Sequence, residues 1–311
     1  MPTLLFYSQD DPVDLWVPEL RKRLPRDVKV VVHPDIGDPA EIDYALVWKP
    51  PAGMIAGLPN CKVIFSIAAG IDHILADPER PTALPIVRMV DPALRDMMSE
   101  HAMLGVLYFH RFLGHYLENQ PKGIWDRKWA RHTPDHHVAV LGLGHIGAEV
   151  ARKFAVYGFQ VHGWSRSEKR IPGVECRTGD KGLTDVLSRA NYVVNVLPLT
   201  DETRTILSAT TFELMPKGAV IVNLGRGGHV AEDDLIPALD SGQLGGAFLD
   251  VFETEPLPKD HPFWRHPKIV VTPHVAGELL PQSCAQVLAS NVRKHIAGET
   301  IPHIVDLERG Y

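Results

Sequence analysis

Three glycines carry the strongest chemical signal in this chain. Gly142, Gly144 and Gly147 fall in the run Val138-Ala139-Val140-Leu141-Gly142-Leu143-Gly144-His145-Ile146-Gly147. It reads as a buried strand, a GxGxxG turn and the start of a helix over 148–157. Gly142 allows the tight turn, Gly144 lets the backbone approach a pyrophosphate, and Gly147 lets the helix pack close to its strand. The N–H groups at the helix start, around His145 and Ile146, then face phosphate oxygens. Glycine loops are common. The strand before this one and the helix after it are what point to a dinucleotide.

A second strand over 160–164 ends in Ser165-Arg166-Ser167. NAD sites usually place Asp or Glu about 20 residues after the glycines, bonded to the ribose 2′-OH. Trp164 and Ser165 stand there instead, with Arg166 next and Lys169 and Arg170 close by. A carboxylate repels a 2′-phosphate, whereas Ser165, Arg166 and Ser167 offer charge-assisted hydrogen bonds. One such bond contributes about 1.5–3 kcal/mol, at least tenfold in affinity. NADP(H) is therefore the expected cofactor, with NAD(H) the second choice. The other reading of this turn is a solvated basic loop.

Further reactive side chains recur just after apolar strands. Leu197-Pro198-Leu199-Thr200 follow one, Leu224-Gly225-Arg226-Gly227-Gly228 another, Asp250 a third, and Pro273-His274 a fourth. In an open α/β sheet, ligands bind beyond the carboxyl ends of the strands. Arg226, between glycines, can hold a carboxylate bidentately and reach a neighbouring carbonyl oxygen. His274 is singled out from 16 histidines by its position at a strand end. Glu255 lies nearby in DVFETEP; Glu253 and Asp260 are rival carboxylates that composition does not separate.

Length and composition bound the partners. The chain has 311 residues, enough for two domains, with 45% hydrophobic and 23% charged residues. A net charge of −6 and the lack of a basic cluster argue against nucleic acid. No basic, apolar leader opens the sequence and no apolar run approaches a membrane span, so neither a signal peptide nor a membrane is expected. Cys61, Cys176 and Cys284 are scattered and read as thiols of a reducing, cytoplasmic setting. No metal site is expected.

The elements that must position these groups follow from periodicity. Short strands are expected at 4–7, 28–32, 44–48, 62–66 and 86–88, with a helix over 13–24. A long helix is expected over 92–118, then a polar linker over 119–136. Strands at 138–141, 160–164, 192–196, 219–223, 246–249 and 269–272 alternate with helices that include 183–190 and 233–241. The 281–297 helix has no strand left to serve there and is expected to return to the first domain. The fold class is α/β, two Rossmann-like domains with mostly parallel sheets. The expected division is 1–100 plus 280–311 against 101–279.

The segments GLGHIG, NLGRGG, DVFETEP and TPHVAG, in this order, resemble the D-isomer-specific 2-hydroxyacid dehydrogenases. The resemblance covers about 66–296. Within the family, the WSRS turn and compact length are most similar to the glyoxylate/hydroxypyruvate reductase A branch, which prefers NADPH. The resemblance implies two Rossmann-like domains flanking a cleft, and a homodimer joined through the long helix. It implies that Arg226, Glu255 and His274 are catalytic, and that Ala69 and Gly70 bind substrate beside Arg226 and His274; Trp48, by its own place at the end of a first-domain strand, is a candidate to cap the substrate. The cofactor set is then Gly142, Gly144, His145, Ile146, Gly147, Ser165, Arg166, Ser167, Leu197, Pro198, Thr203, Leu224, Gly225, Asp250 and Gly277. The implied reaction reduces a small 2-oxo acid, with His274 as general acid oriented by Glu255. One departure is His274-Val275-Ala276-Gly277-Glu278, where many members carry Gly and Thr shortly after the histidine. Formate dehydrogenases resemble the chain less, carrying Gln where Glu255 stands. The competing reading is a non-catalytic dinucleotide sensor or corepressor-like protein on the same scaffold. Trp48 serves equally as a packing residue, and Tyr116, Trp125 and Trp129 are expected to pack rather than to reach a partner.

Overall fold

A computed structural model describes residues 1–307. In chain order its strands are β1 (Thr3–Ser8), β2 (Lys29–Val32), β3 (Tyr44–Trp48), β4 (Val63–Ser66), β5 (Ile86–Val87), β6 (His137–Leu141), β7 (Gln160–Trp164), β8 (Val174–Arg177), β9 (Tyr192–Asn195), β10 (Ala219–Asn223), β11 (Leu244–Leu249) and β12 (Ile269–Val271). The helices are α1 (Val13–Arg23), α2 (Asp72–Leu75), α3 (Pro92–His110), α4 (Leu113–Asn119), α5 (His145–Tyr157), α6 (Gly179–Arg189), α7 (Ala209–Leu214), α8 (Glu232–Asp240) and α9 (Pro281–Ile296). Two compact units result, one formed by Met1–Leu94 with the chain from Leu279, the other by Arg95–Glu278.

The first unit is built on a five-stranded sheet in the order β2-β1-β3-β4-β5, with parallel pairing throughout. Its strands are continuous apolar runs because both faces are covered. One face packs Leu4, Phe6, Leu46 and Phe65 against Trp16 and Leu20 of α1 and against Cys284, Leu288 and Val292 of α9. Each such side chain removed from water contributes about 1.5–3 kcal/mol. Burial raises the Cys61 thiol to about 11, and burial beside Asp91 raises Cys284 as well, so neither is a thiolate at neutral pH.

The second unit carries a seven-stranded, all-parallel sheet in the order β12-β11-β10-β9-β6-β7-β8. Strand order reverses between β6 and β9, so the loops after these two strands diverge from one point. That is where an open α/β sheet holds its ligand. The two-unit α/β architecture with parallel sheets is the one expected from the alternating pattern. No described helix is long and apolar enough to cross a membrane.

Two local expectations need correction. The helix expected over 92–118 is broken, because Phe112 adopts a left-handed backbone (φ 57°) between α3 and α4. The Arg131 guanidinium sits 4.5 Å over the Phe112 ring, and the Tyr108 hydroxyl occupies the space a Cβ would need at Gly114, so the corner is set by packing. The strand β8 was not anticipated. Val174-Glu175-Cys176-Arg177 is short, half-exposed and polar, and it forms only because β7 offers an edge to pair with.

The end of α3 is anchored by a buried polar cluster. His110 Nδ1 lies 3.0 Å from the Tyr192 hydroxyl, which also accepts from Arg131 Nη1 at 2.9 Å. Burial, together with the nearby positive charge of His136, Arg131 and Arg111, lowers His110 to about 4. A folded pKa below the unfolded 6.5 means the stability is complete above about 6.5 and is lost as pH falls toward about 4. Thermal melts across this window should show Tm falling by several degrees. In His110→Asn the whole melting curve shifts down while this part of its pH slope disappears.

Candidate active site

The glycine turn after β6 is built as its spacing implies. Gly142 has φ 98°, a left-handed conformation that glycine adopts without strain. A Cβ on Gly147 would overlap the Gly142 carbonyl oxygen, so α5 could not approach the turn with any larger residue there. A Cβ on Gly144 would meet nothing within 4 Å, which leaves the N-terminus of α5 open to a phosphate group. A Cβ at Gly142 would lie 3.1 Å from the Leu197 nitrogen, which places the loop after β9 directly against the glycine turn. These features fit a dinucleotide.

Beyond β7, Ser165 is nearly buried, its N–H donating to the Arg177 carbonyl (3.1 Å) and its hydroxyl to the Ser167 carbonyl (2.8 Å). The Arg166 and Ser167 side chains are exposed at this turn. A groove of about 700 Å³ opens beside it, lined by Lys169, Arg170, Arg177 and Lys181 among others. Two of the expected cofactor residues are committed within the protein. Thr203 donates to the Pro198 carbonyl at 2.7 Å and accepts from Thr200 N–H at 2.9 Å, bracing the loop after β9. Asp250 is 1% exposed and accepts hydrogen bonds from Thr272, Val275 and Ala276.

Those partners hold His274 in place. Asp250 Oδ1 accepts from Thr272 Oγ1 (2.5 Å) and Val275 N–H (2.9 Å), and Oδ2 accepts from Ala276 N–H (2.9 Å). His101 Nε2, from α3, lies 3.5 Å from the same Oδ1 and 3.1 Å from Thr272 Oγ1. Burial raises the Asp250 pKa, but hydrogen bonds from His101, Thr272, Val275 and Ala276 outweigh it, and the net shift is downward. The turn so held contains His274 in a left-handed backbone (φ 56°), its N–H donating to the Asp250 carbonyl at 2.8 Å. A non-glycine residue in this conformation costs on the order of 1 kcal/mol and persists where its surroundings over-determine it.

Glu255, not Glu253 or Asp260, reaches the histidine. Its Oε2 is 2.8 Å from His274 Nδ1, and its Oε1 accepts from Phe252 N–H at 3.0 Å. A carboxylate at Nδ1 fixes the proton there and leaves Nε2 as the ring's other nitrogen. Arg226 follows β10, next to this pair in strand order. A Cβ on Gly227 would overlap the backbone of Phe252 and Glu253, so the glycine presses the Arg226 loop onto the loop that carries Glu255. Arg226 Nη1 donates to the Gly225 carbonyl at 2.8 Å.

Sequence reasoning missed the buried polar residues beneath this loop. Asn223 Nδ2 donates to the Arg226 carbonyl (3.0 Å), and its Oδ1 accepts from Asn195 Nδ2 (2.9 Å). His229, fully buried, faces the Arg226 backbone. The available signal was a polar residue closing each of two apolar strands, Asn195 and Asn223. In the first unit, Trp48 ends β3 with its Nε1 3.2 Å from Asp10 Oδ2 and its ring 4.4 Å from that of His73. Ala69 and Gly70 lie in the turn after β4, where Ser66 Oγ donates to the Gly70 carbonyl at 3.1 Å.

Asp250→Asn should remove one acceptor from the Val275–Ala276 clamp and let His274 relax. The expected result is a kcat lower by about 10- to 100-fold, with nucleotide affinity changed less than threefold, read by steady-state kinetics and fluorescence titration. An unchanged kcat would show that the carboxylate is not what holds the turn.

Comparison with known proteins agrees with this geometry. The profile of the D-isomer specific 2-hydroxyacid dehydrogenase NAD binding domain matches residues 103–276. The chain is 39% identical over 315 aligned positions, 99% of each protein, to glyoxylate/hydroxypyruvate reductase A of Serratia proteamaculans. Its fold is similar, with a TM-score of 0.95 and 36% identity over the full length of both chains, to the NADPH-dependent glyoxylate/hydroxypyruvate reductase of Sinorhizobium meliloti, solved with NADP and sulfate. It is equally similar, at TM-score 0.95 and 39% identity over 99% of both chains, to a family member from Xanthobacter autotrophicus solved with NADPH and MES. The chain therefore belongs to the D-isomer-specific 2-hydroxyacid dehydrogenases, a family of oxidoreductases.

Proposed function

We propose that this enzyme reduces small 2-oxo acids, glyoxylate and hydroxypyruvate among them, to D-2-hydroxy acids with NADPH. The observation that carries this reading is His274 Nδ1 bonded to Glu255 beside the Arg226 loop, at the same sheet edge as the glycine turn. A sensor has no need of such a relay.

NADPH, when bound, supplies the hydride that is added to C2 of the oxo acid. Gly142, Gly144, His145, Ile146 and Gly147 would hold its pyrophosphate, and Arg166 and Ser167 the 2′-phosphate, with Ser165 bracing that turn through its bonds to the Arg177 and Ser167 carbonyls. Leu197, Pro198, Leu224, Gly225 and Gly277 line the remaining cofactor path, with Thr203 bracing the Pro198 loop. Arg226 binds the substrate carboxylate and steadies the 2-oxo oxygen. His274 Nε2 gives its proton to that oxygen as it gains charge, and Glu255 keeps the imidazole oriented and balances the positive charge it carries beforehand. Trp48, Ala69 and Gly70 keep their assignment to substrate binding. In this reading 1–100 with 280–311 forms the substrate domain and 101–279 the dinucleotide domain.

The protein is further proposed to act as a homodimer. Leu104, Leu113, Leu117, Ile124, Trp125 and Trp129 are exposed on and after α3 and α4; Trp125 at 98% and Trp129 at 81% do not pack within the chain as expected. Such a band of large apolar side chains is more than a monomer usually shows to water. A cytoplasmic setting is supported by the three unpaired cysteines.

Initial rates with NADPH and NADH against glyoxylate, hydroxypyruvate, pyruvate and a bulky 2-oxo acid test the proposal. Turnover of the small acids with a clear NADPH preference is expected. Arg166→Ala should raise KM for NADPH about tenfold or more and leave KM for NADH nearly unchanged. His274→Ala should lower kcat about 10²–10⁴-fold. NADPH binding without turnover of any 2-oxo acid would transfer the assignment to a sensor.

A further inference from the structure

Beneath the Arg226 loop lies a histidine that the reaction does not touch. His229 has no solvent exposure. Its Nδ1 is 3.0 Å from the Arg226 backbone N–H, and its Nε2 is 3.2 Å from the Pro198 carbonyl oxygen. The backbone N–H can only donate and the carbonyl can only accept. Nε2 therefore donates to the Pro198 carbonyl, while Nδ1 lies between the Arg226 N–H and the Arg226 carbonyl oxygen, 3.1 Å away. The ring also lies against Gly225, where a Cβ would stand 2.9 Å from Nδ1, so the glycine makes room for it. The His229 N–H returns to the Arg226 carbonyl at 3.2 Å, which closes the loop on itself.

We propose that His229 is a positioning residue that ties the Arg226 loop to the cofactor loop at Pro198. This rests on the functional reading above, in which Arg226 binds substrate and the Leu197–Pro198 segment lines the cofactor path. One imidazole spans two strand-end loops, those after β9 and β10. Displacement of either loop breaks a buried hydrogen bond in the other. Substrate and cofactor binding are then coupled through a group that contacts neither.

The two ring nitrogens can be replaced separately. In His229→Asn the amide oxygen stands near the place of Nδ1 and retains the bond to Arg226, but nothing reaches Pro198. In His229→Gln the amide nitrogen stands near the place of Nε2 and retains the bond to Pro198, but Arg226 N–H loses its acceptor. His229→Leu removes both. The experiment measures Kd for NADPH by fluorescence titration and KM for glyoxylate at saturating NADPH in the intact enzyme, with a thermal melt for each variant. His229→Leu is expected to raise both constants about tenfold or more. His229→Asn should raise chiefly the NADPH constant and His229→Gln chiefly the glyoxylate constant, with kcat changed less than either. Thr203→Val, which removes a second donor to the Pro198 carbonyl with His229 intact, should raise the NADPH constant and, through the His229 link, the glyoxylate constant as well.

Equal losses in Asn, Gln and Leu variants, or no loss in any of them, overturn the proposal and make His229 a packing residue. If variants at His229 fail to fold, Thr203→Val decides: a rise in both constants supports the link, and a rise in the NADPH constant alone overturns it. Absence of wild-type turnover on every small 2-oxo acid overturns the functional reading instead. The NADPH titration still decides the Pro198 half, because it needs no turnover.

Discussion

Seven strands running in one direction deliver every loop that follows a strand to the same edge of the sheet. That constraint decides where the chemistry lies. The glycine turn after β6, the Pro198 loop after β9, the Arg226 loop after β10, Asp250 after β11 and His274 after β12 are neighbours for this reason alone. Parallel strands also require covered faces, which explains why the inner strands β6, β9, β10 and β11 are mostly apolar up to their ends. Their ends are then the places where polar groups emerge from the core. The reversal of strand order between β6 and β9 opens the space into which those groups face.

Buried polar groups hold this edge rigid. Asp250, Asn195, Asn223 and His229 are all nearly inaccessible, and each is hydrogen-bonded. An unsatisfied group at such depth costs about 1–3 kcal/mol, so each loop is confined to positions in which its neighbour's bonds survive. The Asp250 carboxylate keeps its negative charge because Thr272, His101 and two backbone N–H groups surround it. It also holds His274 in a backbone conformation that a non-glycine residue rarely adopts. Glycines complete the arrangement by letting backbones approach: Gly147 against Gly142, Gly227 against Phe252 and Gly225 against His229.

The orientation of the histidine rests on two carboxylates with different surroundings. Glu255, partly exposed, holds the imidazole nitrogen, whereas Asp250, buried, holds the backbone of the same residue. The first governs which nitrogen carries the proton; the second governs where the ring stands. Both belong to the loop that leaves β11, which is why one short segment of sequence controls the geometry of a residue about 20 positions later.

The sequence by itself determined the α/β alternation, the glycine turn and the strand-end positions of Arg226 and His274. These are local: strand and helix periodicity, and a turn whose glycines are spaced by a helix start, are legible within about ten residues. It also showed the absence of a carboxylate at the ribose position, since that is a question of residue type. Tertiary structure decided what depends on distant partners. The break at Phe112 comes from Arg131 and Tyr108, and β8 exists because β7 has a free edge. Composition did not separate Glu255 from Glu253 and Asp260; the family resemblance pointed to it, and the folded chain puts it 2.8 Å from His274. A polar residue closing two apolar strands hinted at Asn195 and Asn223, but their roles and that of His229 lie in their partners, 2 to 31 residues away here, which no local pattern encodes. Hydrogen-bond geometry is fixed by the packing of the sheet, and packing is a property of the folded chain.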